Sequence, residues 1–254
     1  MKIAVTGKGG VGKTTISSLM ARRLADRGYK VLAIDADADA NFAAALGIDI
    51  KNQKGQPIAE MEKLIEEKMG TGENTGQGLY TLNPFVGDIP KRFSIHHKGV
   101  DFLAVGTVKK GGAGCYCADN KLLKRLLNHL VVHRQETVII DMEAGLEHLS
   151  RGTAQGIDAF IVVVEPGQRS LETAINVRDM ANDIGVKKVY VIANKIRHED
   201  ELKLIENYLE GMEFLAVIPY SSAVSTADLE GKSPADFVNE ELIKTIDLII
   251  ERWN

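Results

Sequence analysis

Residues 2–15 read KIAVTGKGGVGKTT. A β-favouring apolar run, Lys2–Thr6, passes through a glycine-rich turn into a helical pattern at Thr14–Arg27. The turn fits G-x-x-x-x-G-K-[ST] through Gly7, Gly12, Lys13 and Thr14. Glycines let backbone N–H groups converge on phosphate oxygens, and a helix N-terminus adds partial positive charge. A nucleotide bound there would touch Gly9, Gly10, Val11, Gly12 and Thr15. Lys13 would reach its β- and γ-phosphates, and the Thr14 hydroxyl would ligate Mg²⁺.

Outward from this turn the chain alternates β-rich runs with helical patterns. Further strands are expected at Lys30–Ile34, Val100–Val105, Thr137–Ile140, Ala159–Val164, Lys188–Ala193 and Glu213–Ile218. Helices are expected at Ile58–Lys68, Asn120–His133, Ser170–Ile184, Glu199–Leu209 and Glu240–Arg252. Continuous runs such as IVVV lack polar alternation, which suits strands covered on both faces. The expected fold is α/β: a doubly wound, mostly parallel sheet with helices on both faces, in one phosphate-loop domain over residues 1–254. Gly70–Pro90, rich in Gly, Thr and Asn, reads as an irregular insertion or partner-facing loop.

Composition excludes several classes. Hydrophobic residues at 44% and charged residues at 26% are those of a folded globular chain. The formal net charge of −4 argues against nucleic-acid binding, which runs on excess positive charge. No apolar run has the length of a membrane span, and the first residues do not form a signal peptide. A cytoplasmic protein is expected. Two cysteines cannot build a disulfide scaffold and in that compartment are thiols or metal ligands.

Two acidic segments follow strands. LAIDADADANFAAALG (residues 32–47) carries Asp35, Asp37 and Asp39. Carboxylates gathered beside a triphosphate repel it unless Mg²⁺ intervenes. In TVIIDMEAGLEHLSRGT (residues 137–153), Asp141 ends an apolar strand, where an aspartate would hold Mg²⁺ through water. Asp39 reads as a solvated loop acid, Glu143 as a helix-starting acid and His148 as an exposed histidine. His96 and His97 read as a solvated turn. The amphipathic C-terminal segment EELIKTIDLIIERWN lacks the basic face of a membrane-targeting helix and reads as a packed one.

The extra lysine of GKGGVGKTT, Lys8, makes the loop resemble the deviant Walker A motif of the MinD/ParA/nitrogenase-iron-protein group of P-loop ATPases. That resemblance implies ATP, Mg²⁺ and a nucleotide-sandwich homodimer in which Lys8 crosses to the other subunit's phosphates. It implies that Asp37 positions the attacking water and that Asp35 supports the Mg²⁺ shell. Asn41 and Gly145 become switch residues. Asn194, in VIANK (residues 191–195), would bond the adenine, with Pro219 as a further wall. Ile196 and Arg197 follow Asn194-Lys195, so a guanine-type N-K-x-D is missing and ATP is favoured over GTP.

The two cysteines stand as C-x-C in KKGGAGCYCADNKLL (residues 109–123). Two thiolates are too few for a closed tetrahedral site. If Cys115 and Cys117 lie near a two-fold axis, two chains offer four thiolates, a set suited to Zn²⁺ or four-coordinate Ni²⁺. With the loop and DMEAG, the C-x-C resembles the CooC-type ATPases. These mature nickel enzymes, chiefly carbon monoxide dehydrogenase and, in close relatives, acetyl-CoA synthase. The implied function is an ATP-hydrolysing metallochaperone whose homodimer depends on nucleotide and metal. Competing readings are an ATP-gated iron–sulfur electron donor, like the nitrogenase iron protein, and a MinD/ParA-type positioning ATPase on membrane or DNA.

Overall fold

The structure is a computed structural model, and it describes residues 1–49, 55–70, 81–107, 116–132, 135–144, 149, 156–236 and 240–252. Among the described residues eight strands form one sheet: β1 (Lys2–Thr6), β2 (Val31–Asp35), β3 (Ile95–His97), β4 (Val100–Ala104), β5 (Thr137–Asp141), β6 (Ala159–Val164), β7 (Val189–Ile196) and β8 (Glu213–Pro219). Their order is β3-β4-β2-β5-β1-β6-β7-β8. Every pairing is parallel except β3 with β4. The helices are α1 (Lys13–Asp26), α2 (Phe42–Leu46), α3 (Glu62–Met69), α4 (Ile89–Phe93), α5 (Tyr116–Val132), α6 (Gln168–Ile184), α7 (Glu199–Tyr208), α8 (Ser222–Leu229) and α9 (Glu240–Glu251).

Alternation along the strands sends side chains to both faces of the sheet, where the described residues build three apolar clusters. Ile3 and Val5 join the cluster containing Ile16, Met20 and Leu24 of α1 and Ile246 and Ile250 of α9. Ala4, one residue out of phase, joins the opposite cluster with Ile65 of α3 and with Leu122 and Leu126 of α5. Val162 and Val164 pack with Ala174 and Val177 of α6. Full burial contributes roughly 1.5–3 kcal/mol for each Val, Leu or Ile side chain. The sandwiching helices therefore explain why IVVV shows no polar face.

The structure departs from the sequence expectations in a β-hairpin, in the Gly70–Pro90 segment and at the start of α5. His96 and His97 lie in β3, not a solvated turn; Lys98 (φ 45°) and Gly99 (φ 81°) make the two-residue hairpin connection to β4. Within Gly70–Pro90, residues 71–80 lie outside the described residues, but the end of the segment is structured: Val86 and Ile89 are buried in the core shared with α3 and α5. Helix α5 starts at Tyr116, ahead of the expected Asn120. The C-terminal α9 packs as expected, burying Leu242, Ile246, Ile249 and Ile250. No helix among the described residues is long and apolar enough to cross a membrane.

Candidate nucleotide site

Parallel strands direct their carboxyl ends to one edge, and at that edge β2, β5 and β1 are neighbours. Register places Asp35 directly opposite Asp141, and Val5 opposite Asp141. The two acids and the glycine-rich loop after Thr6 thus meet because each ends a strand of the same sheet.

The loop is shaped by close approach. A Cβ on Gly7 would run into the backbone carbonyl of Val163 on β6. Gly12 takes φ 99° as the N-cap of α1, and a Cβ there would collide with the Asn194 amide. Helix α1 has no side-chain cap and no acid in its first turn. By contrast α7 begins with Glu199, Asp200 and Glu201, and Glu201 accepts the backbone N–H of Arg197. The positive end of α7 is met by its own acids, whereas α1 brings none, as an anion-binding helix requires.

A cleft of about 730 Å³ opens over this loop, lined by Lys8, Gly9, Gly10, Gly12, Lys13, Thr14, Thr15, Asp37, Asp39 and Asn41. Lys13 is buried, with its ammonium 3.6 Å from a carboxylate oxygen of Asp37. The Thr14 hydroxyl donates to Asp141 Oδ2 at 2.6 Å, and the Ser17 hydroxyl to Oδ1 at 3.2 Å. Asp35 accepts the backbone N–H groups of Asp37 (3.1 Å) and Phe42 (3.0 Å), so it folds the acidic segment back over the strand end. Asp39 donates its N–H to Asp37 Oδ1 at 3.1 Å.

Burial pushes the Asp35 carboxyl up to about 7, and the charge of Asp141 adds to the rise. Burial likewise raises Asp141, to about 6, against the pull of Thr14 and Lys13. Two desolvated acids in register gain from a nearby cation. Among the described residues no group of three or more His, Cys, Asp or Glu is placed to hold a metal alone. Mg²⁺ is ordinarily held by one or two carboxylates, water and substrate phosphates. A hydroxyl beside a buried carboxylate fits an ion that arrives with the nucleotide. When bound, Mg²⁺ would neutralise phosphate charge, with Thr14 as ligand and Asp141 and Asp35 behind it.

A smaller cavity of about 80 Å³ lies behind Gly12 and Thr15, walled by Asn194, Pro219 and Tyr220. The Asn194 Nδ2 donates to the Val11 carbonyl at 2.8 Å, so this side chain also braces the loop. Gly145 and Cys115 lie outside the described residues. Cys117 is in the first turn of α5, where only its backbone is described.

Sequence reasoning missed two site residues. Glu143, expected only to start a helix, lines the cleft: burial raises its carboxyl, as do the charge and hydrogen bond of Asp37. Its place two residues beyond Asp141 in DMEAG carried the signal. Lys195 donates to the Gly10 carbonyl, and nothing local in the sequence announces that contact.

Residues 2–235 match the model of the CobQ/CobB/MinD/ParA nucleotide binding domain. The chain belongs to this family. The carbon monoxide dehydrogenase accessory protein CooC of Rhodospirillum rubrum is 45% identical over 237 residues, covering 93% of this chain and 90% of CooC. The expected CooC-type resemblance is thereby borne out. The uncharacterized ATP-binding protein MJ0823 of Methanocaldococcus jannaschii is 39% identical over 235 residues, covering 91% and 90% of the two chains. Among solved structures, the septum site-determining protein MinD complexed with Mg-ADP, from Pyrococcus horikoshii, superposes with a TM-score of 0.67 at 20% identity, covering 100% of this chain and 96% of that one. At that identity the likeness concerns the fold, which is the expected P-loop ATPase fold.

Proposed function

We propose that this family member is an ATP-hydrolysing metallochaperone that assists nickel insertion into carbon monoxide dehydrogenase. The observation that carries the reading is one chain, 45% identical to CooC, that joins a phosphate-loop cleft to a C-x-C sequence whose second cysteine, Cys117, is in the first turn of α5. ATP closes a homodimer, with Lys8 reaching the partner's phosphates. Lys13 and the α1 N-terminus hold the β- and γ-phosphates. Asp37 orients the water that attacks the γ-phosphorus, releasing ADP and phosphate. Asn41 and Gly145 respond to loss of the γ-phosphate, and Asn194 with Pro219 holds the adenine. The metal is cargo: Cys115 and Cys117 from two copies supply four thiolates, a set for Ni²⁺ or Zn²⁺.

Metal titration under reducing conditions, with and without ADP or ATP, tests this on the native chain and on a Cys115→Ala, Cys117→Ala double variant. About one Ni²⁺ or Zn²⁺ per dimer is expected, lost in the double variant, from the four-ligand rule. Unchanged metal affinity in that variant removes the metallochaperone. An anaerobically purified protein carrying iron and sulfide, with cluster absorption in the visible, would instead make it an electron donor. Lack of ATP turnover removes the hydrolase.

A further inference from the structure

Lys195 is one of three non-glycine residues among those described with a left-handed backbone, at φ 60°. That conformation crowds Cβ against the backbone and persists only where surrounding structure imposes it. It coincides with a break in the β7–β8 ladder, where the register shifts between Ala193 and Ile196. The consequence of both irregularities is the direction taken by one ammonium group. Lys195 Nζ donates to the Gly10 carbonyl at 2.5 Å, across 185 positions of sequence, and to the Glu165 carboxylate at 2.9 Å. Glu165 directly follows β6, and its own N–H is bonded to the Ser170 hydroxyl at 3.1 Å.

We infer that Lys195, anchored by Glu165, is a positioning residue that sets the phosphate loop for nucleotide. The inference rests on the loop's nucleotide-binding role and concerns a residue outside the phosphate contacts. A trans peptide points its N–H opposite to its C=O. Lys195 holds the carbonyl of Gly10, and Asn194 holds the carbonyl of Val11. Two successive carbonyls are thus fixed onto the end of β7, which turns the N–H groups of the same peptides, on Val11 and Gly12, away from it. Gly10 is itself left-handed, at φ 82°, and a Cβ there would have open space around it. Without an outside hold, that glycine-rich stretch would lose more conformational freedom when phosphate binds. An ordinary surface ion pair between Lys195 and Glu165 would need neither the left-handed backbone nor the ladder break.

The backbone irregularity makes the test clean. Lys195→Gly removes the ammonium and places at φ 60° the residue that adopts it without strain; Lys195→Ala removes the ammonium and keeps a Cβ. Calorimetric ADP affinity with Mg²⁺ and the melting temperature of nucleotide-free protein are measured for both. Both variants are expected to bind ADP roughly 10- to 100-fold more weakly, the range for a lost charge-assisted hydrogen bond. Lys195→Gly is expected to melt above Lys195→Ala, so affinity follows the ammonium while stability follows the backbone. Wild-type ADP affinity in Lys195→Gly overturns the inference, as does affinity that falls only in step with melting temperature. If the native chain binds no ADP, the nucleotide role of the loop fails and the inference fails with it.

Discussion

The hydroxyl of Thr14 lies 2.6 Å from Oδ2 of Asp141, tying the first turn of α1 to the end of β5. The bond crosses from the phosphate loop to the acid expected behind Mg²⁺. Thr14→Ala is expected to cost about 1–3 kcal/mol of stability, because a buried carboxylate loses a donor. Its sharper effect is on metal dependence. ADP affinity of the native chain should rise on adding Mg²⁺ to EDTA-treated protein, and in Thr14→Ala and Asp141→Asn that gain should largely vanish. A full Mg²⁺ gain in Thr14→Ala would remove the hydroxyl from the metal's ligands.

Asp37 is both the ion partner of Lys13 and the residue assigned to the attacking water. Asp37→Asn keeps the side-chain shape and removes the charge. Turnover is expected to fall by about 10²–10⁴, the usual loss for a positioned base or water-orienting group. ADP affinity should stay within a few-fold, since Lys13 is then freed for phosphate. Glu143 beside it supplies the control: if Glu143→Gln, not Asp37→Asn, abolishes turnover while ADP binding persists, the water belongs to Glu143.

Lys8 lines the same cleft, on the phosphate loop itself. Lys8→Ala should leave ADP binding to single chains nearly intact. ATP-driven dimerisation, followed by sedimentation, should be lost, and turnover should drop by about 10³ or more, as for other trans-acting cations in phosphoryl transfer. Normal turnover in a Lys8→Ala monomer would remove the cross-subunit role.

The difference between what was legible and what was not follows sequence distance. The loop, Asp35 and Asp141 were legible because each is a local pattern: glycines between strand and helix, or an acid closing an apolar run. Helices α2 and α4 have five residues each, too few to show a helical period. The β3–β4 hairpin did leave a trace in the Lys98-Gly99 turn, which the paired histidines obscured. Lys195 was out of reach because its partners are Gly10 and Glu165, far away in the chain and adjacent only once β1, β6 and β7 are side by side. For Glu143, the pattern gave the position but only folding brought it against Asp37.

The terminal helix carries a pH signature. Arg23 of α1 donates to Asp247 of α9 through Nε at 2.9 Å and Nη2 at 2.8 Å, and Arg27 lies 3.1 Å away. The hydrogen bonds from Arg23 hold the Asp247 carboxyl below its ordinary value of 3.8, outweighing the opposing effect of burial. A carboxyl lowered in the fold stabilises it above the unfolded value, and this contribution is lost as pH falls through the folded value. The contribution should therefore be complete near neutrality and fade from about pH 4 downward. Asp247→Asn should cost about 1 kcal/mol at pH 7, seen as a melting temperature lower by roughly 2–4 °C. Other acids share the acid limb, so the difference between the two melting curves isolates this pair. That difference should be constant from about pH 5 to pH 8 and shrink below about pH 4 as Asp247 protonates. A difference that persists unchanged down to about pH 2 would mean that the ion pair does not hold α9 against α1.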